Sequence, residues 1–371
     1  TRSQFGYGAY NEGGGIFNAG YSAVTIIRGG TISGNLVTAM HALEPSDGSG
    51  GGLHNHGGRV EIRESTIRDN DAICDQVVHG DPDLCGRGGG IVNVGAGRLV
   101  VLNSTISGNE TTLLNSDHGT YLGGGGGGGL AHMPSCSGSH CWCPATTIIN
   151  STITNNTADH GGAIDTRWET WTGGTYDIPE WEVEPNSNIN ECPGLSVLHT
   201  IVASNTATFT AGTEDCWGEY DSAAYNLTGK GTGCPFGGVG DITSADPLLG
   251  SLVDNGGNTK THVPLAGSPA IDAGDPAGCA DHLGAPITAD QRGYPRPLDG
   301  DGDGNPICDI GSVEYLLIPT PLTGVTLDGP ASGVIQASYS FTATASPITA
   351  TLPISYSWTA NSQAPNDHTG G

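Results

Sequence analysis

Basic residues, methionine and long apolar segments are all scarce in this sequence. Its 371 residues include 12 Lys or Arg against 38 Asp or Glu, which gives a net charge of −26. A surface with that charge repels nucleic acid and anionic membranes, so neither is an expected partner. No apolar run approaches the ~18 residues of a membrane-spanning helix, and we expect no membrane insertion.

Signals for helices are also few. Methionine occurs twice and long helix-favouring side chains are rare, whereas threonine and β-branched aliphatic residues are plentiful. Glycine reaches 62 residues, clustered in GGG runs without the Gly-X-Y period of collagen. This composition is typical of strands joined by tight turns.

The ten cysteines include no CxxC pair, which argues against a zinc ribbon. Disulfides formed in an oxidising, extracellular compartment explain them better. Three pairs that are close in sequence are predicted to be bridged: Cys74 with Cys85, Cys216 with Cys234, and Cys279 with Cys308. The pairing of Cys136, Cys141, Cys143 and Cys192 stays open at this point.

Two signatures repeat five times in the same order. The first is Gly-Gly followed by an aliphatic residue, and the aliphatic positions are Ile16, Leu53, Ile91, Leu130 and Ile164. The second is Thr-Ile followed closely by Asn, as in TISGN at residues 31–35. The intervals between first signatures are 37, 38, 39 and 34 residues, which indicates a solenoid built from units of near-constant length.

Each repeat contains short alternating strands, and none shows a sustained 3.6-residue apolar period. One repeat is therefore expected to form one coil that buries its apolar side chains by stacking on its neighbours. We expect Asn18, Asn55 and Asn93 to stack at one turn, and the Asn of the second signature at another. The predicted fold is all-β: a right-handed, single-stranded, pectate-lyase-like parallel β-helix over residues 1–211.

Coils four and five carry long insertions on one side of the predicted stem. From the aliphatic residue to the isoleucine of the second signature, coils one to three span 16, 14 and 15 residues, and coils four and five span 23 and 37. The aromatic residues of the insertions are Trp142, Trp168, Trp171, Trp181 and Tyr176. They are candidates for stacking on sugar rings, and the alternative is that they pack the loops onto the stem.

The two signatures resemble the β-helical, polymorphic-outer-membrane-protein-like repeats of secreted bacterial proteins over residues 6 to about 210. A second resemblance, to the choice-of-anchor Q domain, covers about residues 212–315. It is carried by Asp246-Pro-Leu-Leu-Gly, Asp254-Asn-Gly-Gly, Ser268-Pro-Ala-Ile-Asp-Ala-Gly-Asp275, Asp290-Gln-Arg-Gly-Tyr-Pro-Arg-Pro297 and Cys308-Asp-Ile-Gly-Ser-Val-Glu314. These resemblances imply a surface location and a C-terminal cap over residues 212–316, stapled by Cys279–Cys308 and Cys216–Cys234.

A linker over residues 317–322 precedes a third segment, residues 323–371. This segment resembles the first half of a PKD-like or Ig-like module, with Trp358 where the core tryptophan of such a module belongs. A complete sandwich needs about 80–100 residues. We therefore expect a partial Ig-like β-sandwich.

An acidic loop, Asp299-Gly-Asp-Gly-Asp-Gly304, is the best metal candidate. Alternating carboxylates on Asp299, Asp301 and Asp303 suit Ca²⁺, and the alternative is an acidic turn. His54 and His56 alternate on one strand, so both are expected to point outward into solvent. Their equivalents in other coils are mostly apolar, and we expect an insertion or a partner to cover that line.

Enzymes that cleave polysaccharides commonly use this fold, and Asp165 with Arg167 could suggest one. The sequence has no Asp-Asp pair and no Gly-His-Gly, and its predicted stem holds few basic residues. We therefore expect no enzyme, but an extracellular structural or adhesive surface protein, in one form a filament subunit that binds copies of itself end to end. The alternatives are a carbohydrate-binding protein and a polysaccharide-cleaving one.

Overall fold

The structure is a computed structural model, and it consists of two compact units, Thr1–Tyr315 and Leu316–Gly371. All regular elements among the described residues are β-strands. The described residues are 2–4, 13–42, 48–77, 86–114, 125–137, 140–166, 195–218, 220, 222–229, 233–317, 324–329, 342–346, 354–358 and 366–370.

Four parallel sheets, each of six strands, build the first unit. Sheet 1 contains Ile16–Ala19, Leu53–His56, Ile91–Val94, Leu130–Met133, Ile164–Asp165 and Cys216–Trp217. Sheet 2 contains Val24–Arg28, Arg59–Arg63, Arg98–Leu102, Ala145–Ile149, Leu195–Leu198 and Ser222–Ala224. Sheet 3 contains Thr31–Ser33, Thr66–Arg68, Thr105–Ser107, Thr152–Thr154, Ile201–Ala203 and Leu227–Thr228. Sheet 4 contains Arg2–Gln4, Leu36–Ala42, Asp71–Val77, Glu110–Leu114, Thr157–Ala158 and Thr206–Ala207.

The chain passes through sheets 1, 2, 3 and 4 in turn and then pairs with its own previous coil, which is the path of a parallel β-helix. Register follows the predicted repeat, because Ile16, Leu53 and Ile91 stack directly in sheet 1. We call one layer of the stem, with one strand from each sheet, a rung. A sixth rung follows the five predicted coils after residue 211. It pairs in register with the fifth and starts at Cys216, without a Gly-Gly signature. The right-handed sense of the coil stays a prediction.

Inward-facing side chains of sheets 1, 2 and 3 form one continuous core. The isoleucines of the first four second signatures are buried in this core, and alternate residues of the flanking strands are buried as well. In the fifth coil Val202 takes that register position, and Ile201 is buried in a second cluster with Ala270 and Ile310. Each fully buried aliphatic side chain contributes about 1.5–3 kcal/mol of hydrophobic free energy. Those with almost no exposed surface include Leu53, Ile62, Ile67, Ile91, Leu99, Ile106, Leu130, Ile148, Ile153, Ile164 and Leu195.

The corners between sheets 2, 3 and 4 require left-handed backbone. Asn103 and Asn150 have φ of 45° and 46° between sheets 2 and 3, and Asn155 has φ of 57° between sheets 3 and 4. Asparagine tolerates this region better than most side chains, and glycine occupies it freely at Gly34 and Gly108. The second signature therefore encodes the three-residue strand of sheet 3 and the corner that follows it, while the corner before it precedes the signature.

Asparagine ladders satisfy the backbone at two corners, as the sequence predicts. At the corner between sheets 1 and 2, the Asn18 amide donates to Asn55 at 2.7 Å and the Asn55 amide donates to Asn93 at 2.7 Å. At the corner between sheets 3 and 4, a longer ladder continues through all the rungs. Its members are Asn35, Asn70, Asn109, Asn156, Asn205 and finally Asp215, joined side chain to side chain at 2.9–3.0 Å.

A third ladder, at the corner between sheets 2 and 3, was not predicted. Each side chain there accepts the backbone N–H of the equivalent residue one rung earlier. The Ser104 hydroxyl, for example, accepts the N–H of Ser65 at 3.2 Å, and the Ser151 hydroxyl accepts that of Ser104 at 3.3 Å. Its acceptors are Ser65, Ser104, Ser151, Thr200, Asn226 and Asp241.

Residues 248–315, which we call the lateral brace, lie along the outward face of sheet 3. The Gln291 side chain connects two rungs, because its Nε2 donates to Ser65 O at 3.0 Å and its Oε1 accepts from the Thr105 hydroxyl at 2.7 Å. Further contacts between brace and stem are Lys260 with Thr66, His262 with Ser107, Ser312 with Thr152, and Arg296 with Asn103.

A short part of the segment predicted as a cap packs against the main core next to the last rung. Phe236 belongs to the main core and is 7% exposed. The Tyr220 ring packs edge-on against it, with the two ring centroids 5.3 Å apart. The Cys216–Cys234 disulfide holds this part to the last rung. Residues 248–315 lie along the side of the stem, because Thr66, Thr105, Thr152 and Asn103 offer them polar partners on three rungs, and a capping role for residues 212–316 stays a prediction.

The second unit contains two antiparallel strand pairs among its described residues. Gly324–Asp328 pairs with Thr342–Ser346, and Ile354–Trp358 pairs with Asn366–Gly370. Trp358 ends one of these strands. The pairs fit an all-β module, and the Ig-like identity stays a prediction.

The longest ladder yields a stability prediction. Asn109→Ala should lower the free energy of unfolding by about 3–5 kcal/mol, because it leaves several buried partners in adjacent rungs without a hydrogen bond, at about 1–3 kcal/mol each. Urea unfolding followed by circular dichroism measures the loss. Asn155→Gly is the control, since Asn155 is exposed at φ 57° and glycine adopts that conformation freely. Equal losses in the two variants would contradict a structural role for the ladder.

Candidate functional site

Three carboxylates converge at one point of the lateral brace. One oxygen from each of Asp272, Asp299 and Asp301 lies within 4.8 Å of the others. Sequence reasoning named Asp299 and Asp301 but missed Asp272, which is distant in the chain. Asp303, the third predicted ligand, lies outside this group.

The loop that presents Asp299 and Asp301 is folded by its own backbone. Asp299 accepts the N–H of Gly302 at 2.7 Å and that of Gly304 at 2.9 Å. Asp272 joins the loop by accepting the N–H of Asp301 at 2.7 Å. Glycine at residues 302 and 304, with φ of 80° and 92°, allows the tight turns that bring these oxygens together.

Electrostatics favour a cation at this point. Burial raises the pKa of Asp272, and the neighbouring Asp301 carboxylate raises it further. A divalent ion would remove that repulsion and supply a partner for oxygen ligands of the kind that Ca²⁺ prefers. Asp272 and Asp299 are half-buried and Asp301 is exposed, so an ion can reach the group from solvent.

Of the five aromatic ligand candidates, the structure describes one. Trp142 is half-buried in the strand His140–Trp142, at the base of the insertion of coil four. Trp168, Trp171, Trp181 and Tyr176 lie outside the described residues. The sequence did not predict a second aromatic group, in which the His160 ring packs edge-on against Trp217 and the exposed Phe209. The ring centroids are 4.2 Å and 5.5 Å apart, respectively.

The outward face of sheet 1 is buried in coils two to four at His54, Val92 and Ala131, as its apolar sequence predicts, whereas Phe17 in coil one is 50% exposed. Val92 and Ala131 are 1% and 0% exposed, and they form a small cluster with Val94 and Met133. The expectation that His54 points into solvent is wrong. It is fully buried in the same line, and burial lowers its pKa to about 4.

A carboxylate pair lies on sheet 4, where Asp71 and Glu110 occupy directly neighbouring rungs. Burial raises the pKa of Asp71 to about 6, and the Glu110 carboxylate adds to the rise. Asp165, which together with Arg167 could suggest a polysaccharide-cleaving enzyme, is buried, and Arg167 lies outside the described residues. Sheet 4 is therefore a place on the described stem where two acids stand close enough to influence each other.

A buried ionic cluster holds the lateral brace together. Arg296 bonds Glu314 at 2.6 Å with both side chains fully buried, and Arg292 bonds Asp290 at 2.7 Å. Burial and the Glu314 carboxylate raise the pKa of Asp309 to about 8. These five residues come from the last two motifs of the choice-of-anchor resemblance, so the motifs mark the internal framework of the brace.

A cavity of about 400 Å³ lies beside the last rungs. It is lined by Ser204, Asn205, Glu214, Asp215, Gly229, Ala245, Asp246 and Pro247. Its floor is the end of the long ladder, where Asn205 donates to Asp215 at 3.0 Å. Burial raises the pKa of Asp215. The lining has three acids and no basic residue, which makes the cavity unsuitable for anions.

Two of the predicted disulfides are confirmed, Cys216–Cys234 and Cys279–Cys308. Cys74 is also disulfide-bonded and fully buried, and its predicted partner Cys85 lies outside the described residues. Such bonds fit an oxidising compartment. Within the part of the chain that the structure describes, no helix has the length and hydrophobicity to cross a membrane.

His132 supplies a prediction on acid stability. It occupies the ladder position of Asn93 in the next rung, bonds Thr146 at 2.9 Å, and has its pKa lowered to about 4 by burial. Because the folded pKa lies below the ordinary value of about 6.5, its stabilisation is complete above pH 6.5 and is lost as the pH falls toward 4. His132→Asn should reduce the loss of unfolding free energy between pH 7 and 4.5 by about 2.5 kcal/mol.

The measurement is urea unfolding at both pH values for the native chain and the variant. Other titrating groups are common to both, so they cancel in the comparison. Asn93→His is the reciprocal variant, and it should make the stem more sensitive to acid. An unchanged pH dependence in His132→Asn would show that His132 is not the acid-sensitive group.

Comparison with protein-family models, curated proteins and solved structures found no match for this chain. The resemblances to polymorphic-outer-membrane-protein-like repeats and to a choice-of-anchor domain therefore stay predictions from motifs. The structure supports three features: the stacked parallel sheets, the two disulfides and the group of three carboxylates.

Proposed function

We propose that this chain is a structural or adhesive protein of an extracellular surface, a stiff stem that displays insertions from one corner. The lateral brace is the observation that carries this proposal. It bonds successive rungs from the outside while the ladders bond them from the inside. Bending or unwinding the stem would break both sets of bonds together.

Buried charge in the brace supports a mechanical role. Breaking one partner of a buried ion pair typically costs about 3–5 kcal/mol, because the remaining charge is left without compensation. Arg296 bonds Glu314 and also donates to Asn103 of the stem at 3.2 Å. Peeling the brace from sheet 3 would therefore disturb the ion pair as well as the hydrogen bonds between brace and stem.

Display of the insertions supports the adhesive part of the proposal. Both insertions leave the stem between sheets 1 and 2, after Met133 in coil four and after Thr166 in coil five. Their tryptophans suit an extracellular carbohydrate as ligand, since aromatic faces stack on sugar rings. A polysaccharide-cleaving protein is the second candidate, and the specific observation in its favour is the Asp71–Glu110 pair on sheet 4.

Self-association end to end is the form we propose for a structural role. Among the described residues, the first strands of sheets 1, 2 and 3 have a ladder neighbour on one side only. The same coil exposes Phe17, Val24 and Ile26 by 50%, 61% and 66%. Exposed apolar side chains on a strand at the edge of a sheet are a template for pairing with another copy.

Calcium is the proposed ligand of Asp272, Asp299 and Asp301. Saturating Ca²⁺ at about 100 times its dissociation constant should stabilise the first unit by about 2.7 kcal/mol, and a chelator should reverse the effect. Asp272→Asn and Asp301→Asn should each abolish the calcium-dependent rise in melting temperature. Asp303→Asn is the matched control and should keep it. If the calcium-dependent rise in melting temperature persists in Asp272→Asn but disappears in Asp303→Asn, the ligands are Asp299, Asp301 and Asp303, as the sequence motif suggested.

The function itself is tested with microspheres coated with the full chain. Under flow they should be retained on immobilised extracellular polysaccharides without release of soluble sugar fragments. Replacing Trp168, Trp171, Trp181 and Tyr176 by alanine should lower retention at least tenfold if the insertions bind carbohydrate. If the native chain releases sugar fragments and the double variant Asp71→Asn, Glu110→Gln does not, the chain is a polysaccharide-cleaving enzyme and the adhesive proposal is wrong.

Electron microscopy of the free chain tests the structural form. Val24→Arg with Ile26→Glu is the matched variant, because coil two has Arg59 and Glu61 at the same register positions. Fibres or pairs formed by the native chain should be absent in this variant, while its circular dichroism stays unchanged. A chain that is monomeric, does not bind any of the surfaces and releases no fragments would contradict the proposed function as a whole.

A further inference from the structure

The insertion of coil four contains a small antiparallel hairpin that the sequence did not predict. Ser135–Ser137 pairs with His140–Trp142, in the register Ser135 to Trp142, Cys136 to Cys141 and Ser137 to His140. The intervening sequence, Gly138-Ser139, favours a two-residue hairpin turn, and such turns fix the register of the strands they join. Two of the four unassigned cysteines are therefore direct cross-strand neighbours.

Direct cross-strand neighbours meet the distance requirement of a disulfide. Their Cα atoms lie about 4.5 or 5.5 Å apart, depending on the hydrogen-bond pattern. Disulfides span Cα separations of about 4.4–6.8 Å, so either pattern is suitable. The backbone alone thus places Cys136 and Cys141 within bridging distance.

Cys143 is excluded as the partner of Cys136 by the same register. Extending the pairing by one residue would set Cys143 opposite Pro134, diagonal to Cys136. Diagonal neighbours across a strand pair are about 7–8 Å apart, beyond the usual reach of a disulfide. Cys143 is itself disulfide-bonded, so its partner has to come from elsewhere.

We infer that Cys136 and Cys141 form a disulfide that staples this hairpin at the base of the coil-four insertion. The two thiols lose two protons and two electrons as the S–S bond forms, and a thiol–disulfide exchange partner of the oxidising compartment accepts the electrons and is reduced to two thiols. This inference concerns covalent structure and holds whether the insertions bind carbohydrate, another surface or neither.

The staple also determines what remains for Cys143. With Cys216–Cys234 and Cys279–Cys308 formed and Cys74 assigned to Cys85, Cys192 is the cysteine left for Cys143. That second bond would tie the coil-five insertion to the foot of the coil-four hairpin. The two insertions would then be one covalently linked structure above the stem.

Peptide mapping of the oxidised full chain tests the inference. The chain is denatured at acidic pH, its free thiols are alkylated, and it is digested with chymotrypsin without reduction. Cleavage after Leu130 and Trp142 isolates residues 131–142, which contain Cys136 and Cys141 but not Cys143. This peptide should be free of alkylation, unattached to any other, and two hydrogen atoms lighter than its reduced form. Alkylation of either cysteine, or attachment to a second peptide, would overturn the assignment.

Single substitutions provide a second readout on the same chain. Cys136→Ser should expose one alkylatable thiol, at Cys141, and Cys143→Ser should expose one at Cys192. The double variant Cys136→Ser, Cys141→Ser should expose none. A new thiol at Cys143 or Cys192 in the Cys136→Ser variant would show that the register pair is not the disulfide pair.

Discussion

Satisfying the backbone at the corners is the constraint on which this fold depends. Each coil turns sharply several times, and the described corners between sheets 1, 2, 3 and 4 place backbone N–H and C=O groups against the next rung, where many of them are buried. An unpaired buried group costs about 1–3 kcal/mol, so a stack of bare corners would not be stable. Side chains of Asn, Ser and Thr replace water by bonding one rung to the next. Because each ladder residue serves two rungs, the ladders also fix the register in which the aliphatic core packs.

The lateral brace depends on the same regularity. Its anchors on sheet 3 include Thr66, Thr105 and Thr152, which recur because the signature recurs, so one extended segment meets a similar partner on three successive rungs. Ionic groups inside the brace contribute little net stability by themselves, since burying charges costs nearly as much as pairing them returns. Their contribution is to geometry: Arg296 bonds Glu314, Gly311 and Asn103 together, and so it fixes the brace in one position against the stem.

Local repetition made the stem predictable, and long-range contact made the brace unpredictable. The spacing of Ile16, Leu53 and Ile91 predicts strand order and register directly, because residues one repeat apart in the sequence are neighbours in adjacent coils. No such period connects Asp272 to Asp299, so the acidic motif alone suggested Asp303 instead. His54 was expected in solvent because alternation assigns it outward, and alternation alone does not determine whether an outward position is buried. The serine ladder was missed because the serine that recurs before Thr-Ile was not recognised as part of the signature.

The ladders also explain where the stem tolerates insertions. The corners between sheets 2 and 3 and between sheets 3 and 4 carry ladders through nearly all rungs, and their length hardly varies. At the corner between sheets 1 and 2, the asparagine ladder runs through Asn18, Asn55 and Asn93 and stops at His132, which turns to Thr146. The insertions of coils four and five begin at that corner, in the rungs where the ladder has ended. A ladder fixes the path of each turn it joins, so added residues are compatible with the stack only where no amide has to reach the next rung. The loss of one asparagine from the repeat therefore marks the point at which a coil of the stem becomes free to carry a long insertion.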